Sequence, residues 1–347
     1  MTALTRIVAG LVFFITTGIV SADPAADWRH IESLDAGPKR KPSSREEAQL
    51  LARNHFLIHR HALQEFLKKY PGDPRSPQAR IRMAEIIATE GVMDGKPQAV
   101  REALGILKAV ESSPSATGDV KADAGFRRAS LLMQTAPGGP ERGYKTIVDA
   151  AQEFVQKYPS DLRGPRLLVE AAGVCDAEPS LKRSLLMEAQ GATSETALKR
   201  RIADDLTRLN LLGKPLDLTM RDLRGGEIDI ATLRGRPVVL IFWSSEAPQS
   251  LLWLRDFRAS WETLPKAKFS VVTISLDEDR SSAKSRAAAF DAPWPVGFEA
   301  GGWLGTTVRR LGINALPAVW ILDKDGKLRS TGATNTWRAW IDRLSSE

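Results

Sequence analysis

The sequence predicts a multidomain chain: an all-α helical-repeat region over residues 44–210, then an α/β domain over residues 213–347 that opens with a β-hairpin. Three observations carry this expectation. The stretch QEFLKKYPGDPR, starting at Gln64, returns as QEFVQKYPSDLR at Gln152, 88 residues later. Apolar residues recur at helical spacing through the first region without strand-like alternation, whereas in the second short β-rich runs alternate with helical ones. Eight of the nine tryptophans lie after residue 240, so the two regions do not share one kind of core.

A chain of 347 residues, 43% hydrophobic and 26% charged, has room for two ordinary domains and the composition of a globular protein rather than a disordered one. The net charge of +7 comes without a dense basic block or a nucleic-acid-binding motif, so no nucleic acid partner is expected. Arg6, the apolar run Ile7–Val20 and the small residues Val20-Ser21-Ala22 read as a secretory signal over residues 1–22, cleaved after Ala22. The alternative is an uncleaved anchor. No later segment is apolar enough to span a membrane, so none is expected once the signal is removed. An exported chain could use disulfides, but Cys175 is the only cysteine and sits among Leu, Val and Ala, as a small core residue does.

Residues 23–43 read as a polar leader. Ser44 followed by Glu47 is a capping box: the hydroxyl accepts from an orphan amide while the carboxylate reaches back. Helix, Pro-marked turn, helix then repeats, with a degenerate middle copy, ALGILKAVESSPSATGDVKADAGFRRASLLM, half-way between the two clear ones. One helix pair cannot bury its apolar face alone, but stacked pairs can. The Tyr-Pro-x-Asp turns resemble those of tetratricopeptide-like repeats, which implies a surface that contacts other proteins. The alternative is helices that only pack on the second domain. His55 and His59, four apart, share a helix face and His61 is close, but Phe56 stands where a metalloprotease motif has Glu. A solvated histidine face, with no metal, is the expectation.

The second region begins with LDLTM and EIDIA around the turn residues RGG, a hairpin pattern. VVLIFW is a run suited to a strand buried on both faces. Pro248 then opens a helix, where its missing amide costs nothing, with Leu251, Leu254, Phe257 and Trp261 along one stripe. FSVVTISLD is a second buried strand, SSAKSRAAAF and GTTVRRLG are helical, AVWILD and KLRSTG are strands joined by KDGK, and TWRAWIDRL is a last helix. DKDG (Asp323–Gly326) lacks the further ligands of a calcium loop and reads as a hairpin turn.

This order, together with GKPLDLTMRDLRGGEIDIATLRGRPVVLIFW, VVTISLDEDR and LGINALPAVWILDKDGKL, resembles the thioredoxin-fold thiol–disulfide oxidoreductases of the TlpA-like, redoxin (AhpC/TSA) type. The resemblance implies a Cys-x-x-Cys motif just after the strand ending in Phe242-Trp243. Its two positions are occupied here by Ala247 and Ser250. Alanine has no nucleophile and serine cannot resolve a disulfide. Ser244, Ser245 and Ser250 have no histidine in this region to act as base; helix capping by Ser244 or Ser245 and a solvated Ser250 are expected. Pro317 matches the family's cis-proline, beside which an extended chain can pair; Trp243, Glu246, Leu316 and Pro317 are therefore the candidate peptide-binding residues. With no catalytic residue, cofactor or metal expected, the function implied is a non-redox protein- or peptide-binding scaffold exported to a bacterial periplasm or envelope. The alternative is an oxidoreductase working through a thiol outside the motif, for which Cys175 is the one candidate. A third possibility makes the second domain a structural cap on the repeats.

Overall fold

The computed structural model describes residues 23–265 and 268–347, with the side chains of residues 140 and 141 left aside. The expected signal segment lies outside the described residues. The chain divides into two compact units, one ending at Leu131 and the other running from Leu132 to Glu347.

The first unit begins with a helix that the polar reading of the leader does not anticipate: α1 (Pro24–Leu34), capped by the Asp23 carboxylate on the amide of Ala25. Only Trp28 and Ile31 are buried on it, too few positions to show a period in the sequence. The helices α2 (Arg45–Lys69), α3 (Ser76–Met93), α4 (Pro97–Glu111) and α5 (Gly118–Gln134) follow. The predicted capping box closes α2 at its start: Ser44 Oγ accepts from the Glu47 amide at 3.1 Å. The Glu47 carboxylate reaches back one residue further than expected, to the Ser43 amide. Trp28, Ile31, Leu63, Phe66, Ala79, Met83 and Ile86 form the core shared by α1, α2 and α3.

The border between the units falls within α5. The second unit continues with α6 (Gly139–Lys157), α7 (Gly164–Gly173), α8 (Pro179–Ala192) and α9 (Thr196–Leu211). The repeated sequence makes the same turn twice. After α2, Asp73 accepts from the amide and the guanidinium of Arg75 at 2.7–2.8 Å. After α6, Asp161 takes the amide and guanidinium of Arg163 at 2.7–2.9 Å. The carboxylate thus fixes the backbone turn and the arginine together.

The remaining elements are β1 (Thr219–Asp222), β2 (Glu227–Asp229), β3 (Val238–Trp243), α10 (Pro248–Glu262), β4 (Ser270–Ser275), α11 (Arg280–Ala289), β5 (Val296–Phe298), α12 (Thr306–Leu311), β6 (Ala318–Leu322), β7 (Leu328–Ser330) and α13 (Trp337–Leu344). Among the described residues they make one seven-stranded sheet in the order β2-β1-β5-β4-β3-β6-β7. β3, β4 and β5 are parallel; β6 runs antiparallel to β3. Strand β5 is the element that sequence reading misses: three residues behind Pro293 and Pro295 give no alternation to read. The hairpin is as expected, with Gly225 and Gly226 at φ of 105° and 86° supplying the left-handed turn.

The VVLIFW run is buried along its whole length because β3 is central and covered on both faces. Val239, Ile241 and Trp243 face the core made with α10, α11 and α13. Val238, Leu240 and Phe242 face the other, with Val308, Leu311 and Trp320. The end of α9 joins this second core through Leu211 and Leu212. There Gly312, at φ +66°, lies against the Asp204 carbonyl, where a Cβ would stand 2.5 Å from the oxygen. The Arg208 guanidinium, whose pKa is pushed down by burial, donates to the Gly312 carbonyl and to Asp205. This seam explains why α6–α9 and the sheet form one unit.

Candidate functional site

The parallel strands β3 and β4 end side by side at Trp243 and Ser275. The loop after β3 carries the motif positions. It is held by the buried carboxylate of Asp277, which accepts from Ser244 Oγ at 2.7 Å, the Ser245 amide at 2.6 Å and Ser275 Oγ at 3.0 Å. Ser244 Oγ in turn accepts from the Glu246 amide at 3.2 Å. Two serines and an acid at the strand ends thus tie three consecutive loop residues to β4. The sequence carries no signal for the contact of Ser244 with Asp277, since 33 residues separate them.

Ser244 and Ser245 do not cap α10 directly. The N-cap is Ala247, which offers no side-chain acceptor, and Pro248 follows at the first helical position. Nor is Ser250 solvated: it is 0% exposed, and its Oγ has no hydrogen-bond partner among the described residues. It points inward because α10 turns its third residue to the sheet. A Ser244 hydroxyl bound to a buried carboxylate, with no histidine near, is a structural donor rather than a nucleophile.

Of the four candidate groove residues, Trp243 belongs to the core: it is 1% exposed and packs edge-on against Phe290 at 5.7 Å. Glu246 is exposed, whereas Leu316 and Pro317 are half-buried. The Leu316–Pro317 peptide is cis. Because Phe242 pairs with Ala318, Pro317 continues the register directly beside Trp243, so the proline and the motif loop stand at the same sheet end.

Residues 213–331 match the model of the AhpC/TSA family. Over 119 residues the chain is 25% identical to the thiol-disulfide oxidoreductase ResA of Bacillus thuringiensis subsp. konkukian, a match covering 32% of this chain and 63% of that protein. ResA of Bacillus cereus ATCC 10987 matches to the same extent. The chain thus spans 63% of the length of these curated relatives. A thioredoxin-like protein from Bacteroides vulgatus has a similar solved structure, with 22% identity and a TM-score of 0.35, covering 38% of this chain and 86% of that one. A thiol-disulfide oxidoreductase from Bacteroides fragilis NCTC 9343 shows 20% identity and a TM-score of 0.31, over 36% and 96%. The C-terminal region thus has a thioredoxin-like fold, and its sequence is similar to the AhpC/TSA family and to thiol-disulfide oxidoreductases.

The alternative thiol is buried. Cys175 is 1% exposed, its Sγ donates to the Ala171 carbonyl at 3.2 Å, and burial pushes its pKa up. A protonated buried thiol is a poor nucleophile.

The predicted histidine face is divided: His61 is exposed and His55 half-buried, whereas His59 is turned into the fold. His59 is buried, its Nε2 3.6 Å from Asp35 Oδ1, and His55 Nε2 lies 2.8 Å from the Leu34 carbonyl. The His55 contact ties the end of α1 to α2. Among the described residues no group of three or more His, Cys, Asp or Glu is arranged to hold a metal. No helix among them is long and apolar enough to cross a membrane.

Proposed function

We propose that this chain is an exported bacterial binding protein whose thioredoxin-like domain has lost its thiol pair and keeps the groove beside the cis-proline for an extended protein segment. One observation carries the reading. Ala247, with only a methyl group, caps α10 where a nucleophilic thiolate would draw on the helix terminus, and wholly buried Ser250 follows in the first turn. The clamp on Asp277 supports it, because it holds the loop in place without sulfur. The helix pairs, with their two matching Asp–Arg turns, supply a second, tetratricopeptide-like contact surface. The cleaved signal and a periplasmic location belong to the same proposal.

Two measurements test it. The full chain is expected to show no insulin-reducing activity, while Ala247→Cys combined with Ser250→Cys gains a disulfide and measurable turnover. Activity in the unmodified chain would sink the reading. A photo-crosslinker at exposed Ala315, beside the cis-proline, should capture an extended client in the native host; adducts formed only from the helix pairs would remove the groove from it.

A further inference from the structure

Four loops meet at the sheet end that carries the motif positions, in the order set by the strands: residues 299–305 after β5, 276–279 after β4, 244–247 after β3 and 314–317 before β6. The outermost of them displays apolar surface. Trp303 is 40% exposed and Leu304 63%, two adjacent large apolar side chains facing solvent.

The display is built rather than incidental. Gly302 is seated against the Leu276 carbonyl and the Glu278 side chain, where a Cβ would stand 3.0 and 3.1 Å away. Gly305 lies against the Glu299 carboxylate, where a Cβ would stand 2.3 Å from Oε1. That buried carboxylate also accepts from the Thr307 amide at 3.0 Å, and the Glu299 carbonyl from the Gly302 amide at 3.3 Å. Any side chain at either glycine would push the loop off its support, so the two residues between them are turned outward.

The charge around this pair is one-sided. The four loops carry Glu246, Asp277, Glu278, Asp279 and Glu299 and no lysine or arginine, in a chain whose net charge is +7. Asp277 and Glu299 are consumed by buried hydrogen bonds, and Asp279 by Ser281 and Ser282. Glu246 and Glu278 are exposed. The nearest cation, Arg280, donates to the Asp222 carbonyl, and Arg309 and Arg310 fall in the last turn of α12.

We infer that Trp303, whose neighbour Gly302 is seated against the Glu278 side chain, is a subsite for a lysine or arginine side chain of the extended segment that lies along this edge. The inference rests on the groove reading above and adds its specificity. An exposed indole on a sheet end whose loops carry carboxylates and no cation attracts a cation through both the ring quadrupole and charge. Strands stand about 4.8 Å apart, so the three steps from β6 to β5 span about 14 Å, or about four residues of extended chain at about 3.3 Å each. The segment recognised therefore carries an apolar residue at Leu316 and a basic one about four positions away.

The test uses the full chain and fluorescein-labelled ten-residue peptides read by anisotropy. The parent peptide has leucine at its fourth position, lysine at its eighth and Ser, Thr or Ala elsewhere; its twins carry glutamate or norleucine at the eighth. The lysine peptide is expected to bind about tenfold tighter than the glutamate twin, and Trp303→Ala or Glu278→Gln to remove most of that preference. Both residues are exposed, and circular dichroism confirms that the variants fold. Equal binding of the three peptides, or a lysine preference unchanged in both variants, overturns the subsite and leaves the groove reading standing. No binding by any peptide overturns both.

Discussion

Ser244 Oγ donates to Asp277 Oδ1 across 2.7 Å, with both residues buried, joining the end of β3 to the loop after β4. The bond is the centre of a clamp in which one carboxylate serves three donors. It lets a sulfur-free motif loop keep a defined shape.

Asp277→Ala removes that acceptor and orphans two hydroxyls and an amide in a buried place. The expected loss is about 2–4 kcal/mol of unfolding free energy, measured in urea. A change within 0.5 kcal/mol, roughly the noise of surface substitutions, would show that the clamp does not hold the loop.

Ser250→Ala acts in the opposite direction. The hydroxyl is buried without a partner among the described residues, so replacing it with a methyl group removes an uncompensated desolvation penalty. A gain of up to about 1 kcal/mol is expected. A clear loss of stability would mean that the hydroxyl is bonded in solution.

Gly312→Ala strikes the seam between α9 and α12. The residue has a left-handed backbone and no room for a Cβ beside the Asp204 carbonyl. Destabilisation of about 2 kcal/mol or more is expected, read as a lower urea midpoint with earlier protease nicking in α9. Unchanged α9 protection in hydrogen exchange would argue that the seam is not rigid.

Acidification should loosen the end of α1. Burial lowers the His59 pKa below its ordinary value of 6.5, outweighing the raising effect of Asp35; His55, Arg82 and His30 lower it further. Folding therefore favours the neutral ring. Its contribution is fully present above the unfolded pKa and is lost as pH falls through 6.5 towards the folded value. Stability measured between pH 8 and about pH 5 should fall more steeply in the native chain than in His59→Gln. Parallel curves would assign the pH dependence to other groups.

Much of the fold was legible because it rests on local pattern. Continuous apolar β-rich runs mark β3 and β4, Pro248 marks the start of α10, and the repeated Tyr-Pro-x-Asp-x-Arg marks two matching turns. Elements of few buried positions were not legible: α1 rests on Trp28 and Ile31, and β5 on three residues that form a strand only because β4 and β1 flank them.

By itself the sequence determined that Ala247 and Ser250 supply no thiol, whatever their surroundings. It also determined most of the strands and helices, since hydrophobic period is a local property, but not α1 or β5. Only the tertiary structure decided what faces what. Trp243 turned to the core and Ser250 inward because β3 is covered on both faces, His59 was buried by α1, and Asp277 met Ser244 across 33 residues. Trp303 was left outside because two glycines seat its loop against Leu276 and Glu299. Burial and charge pairing between distant residues depend on chain topology, which no local pattern encodes.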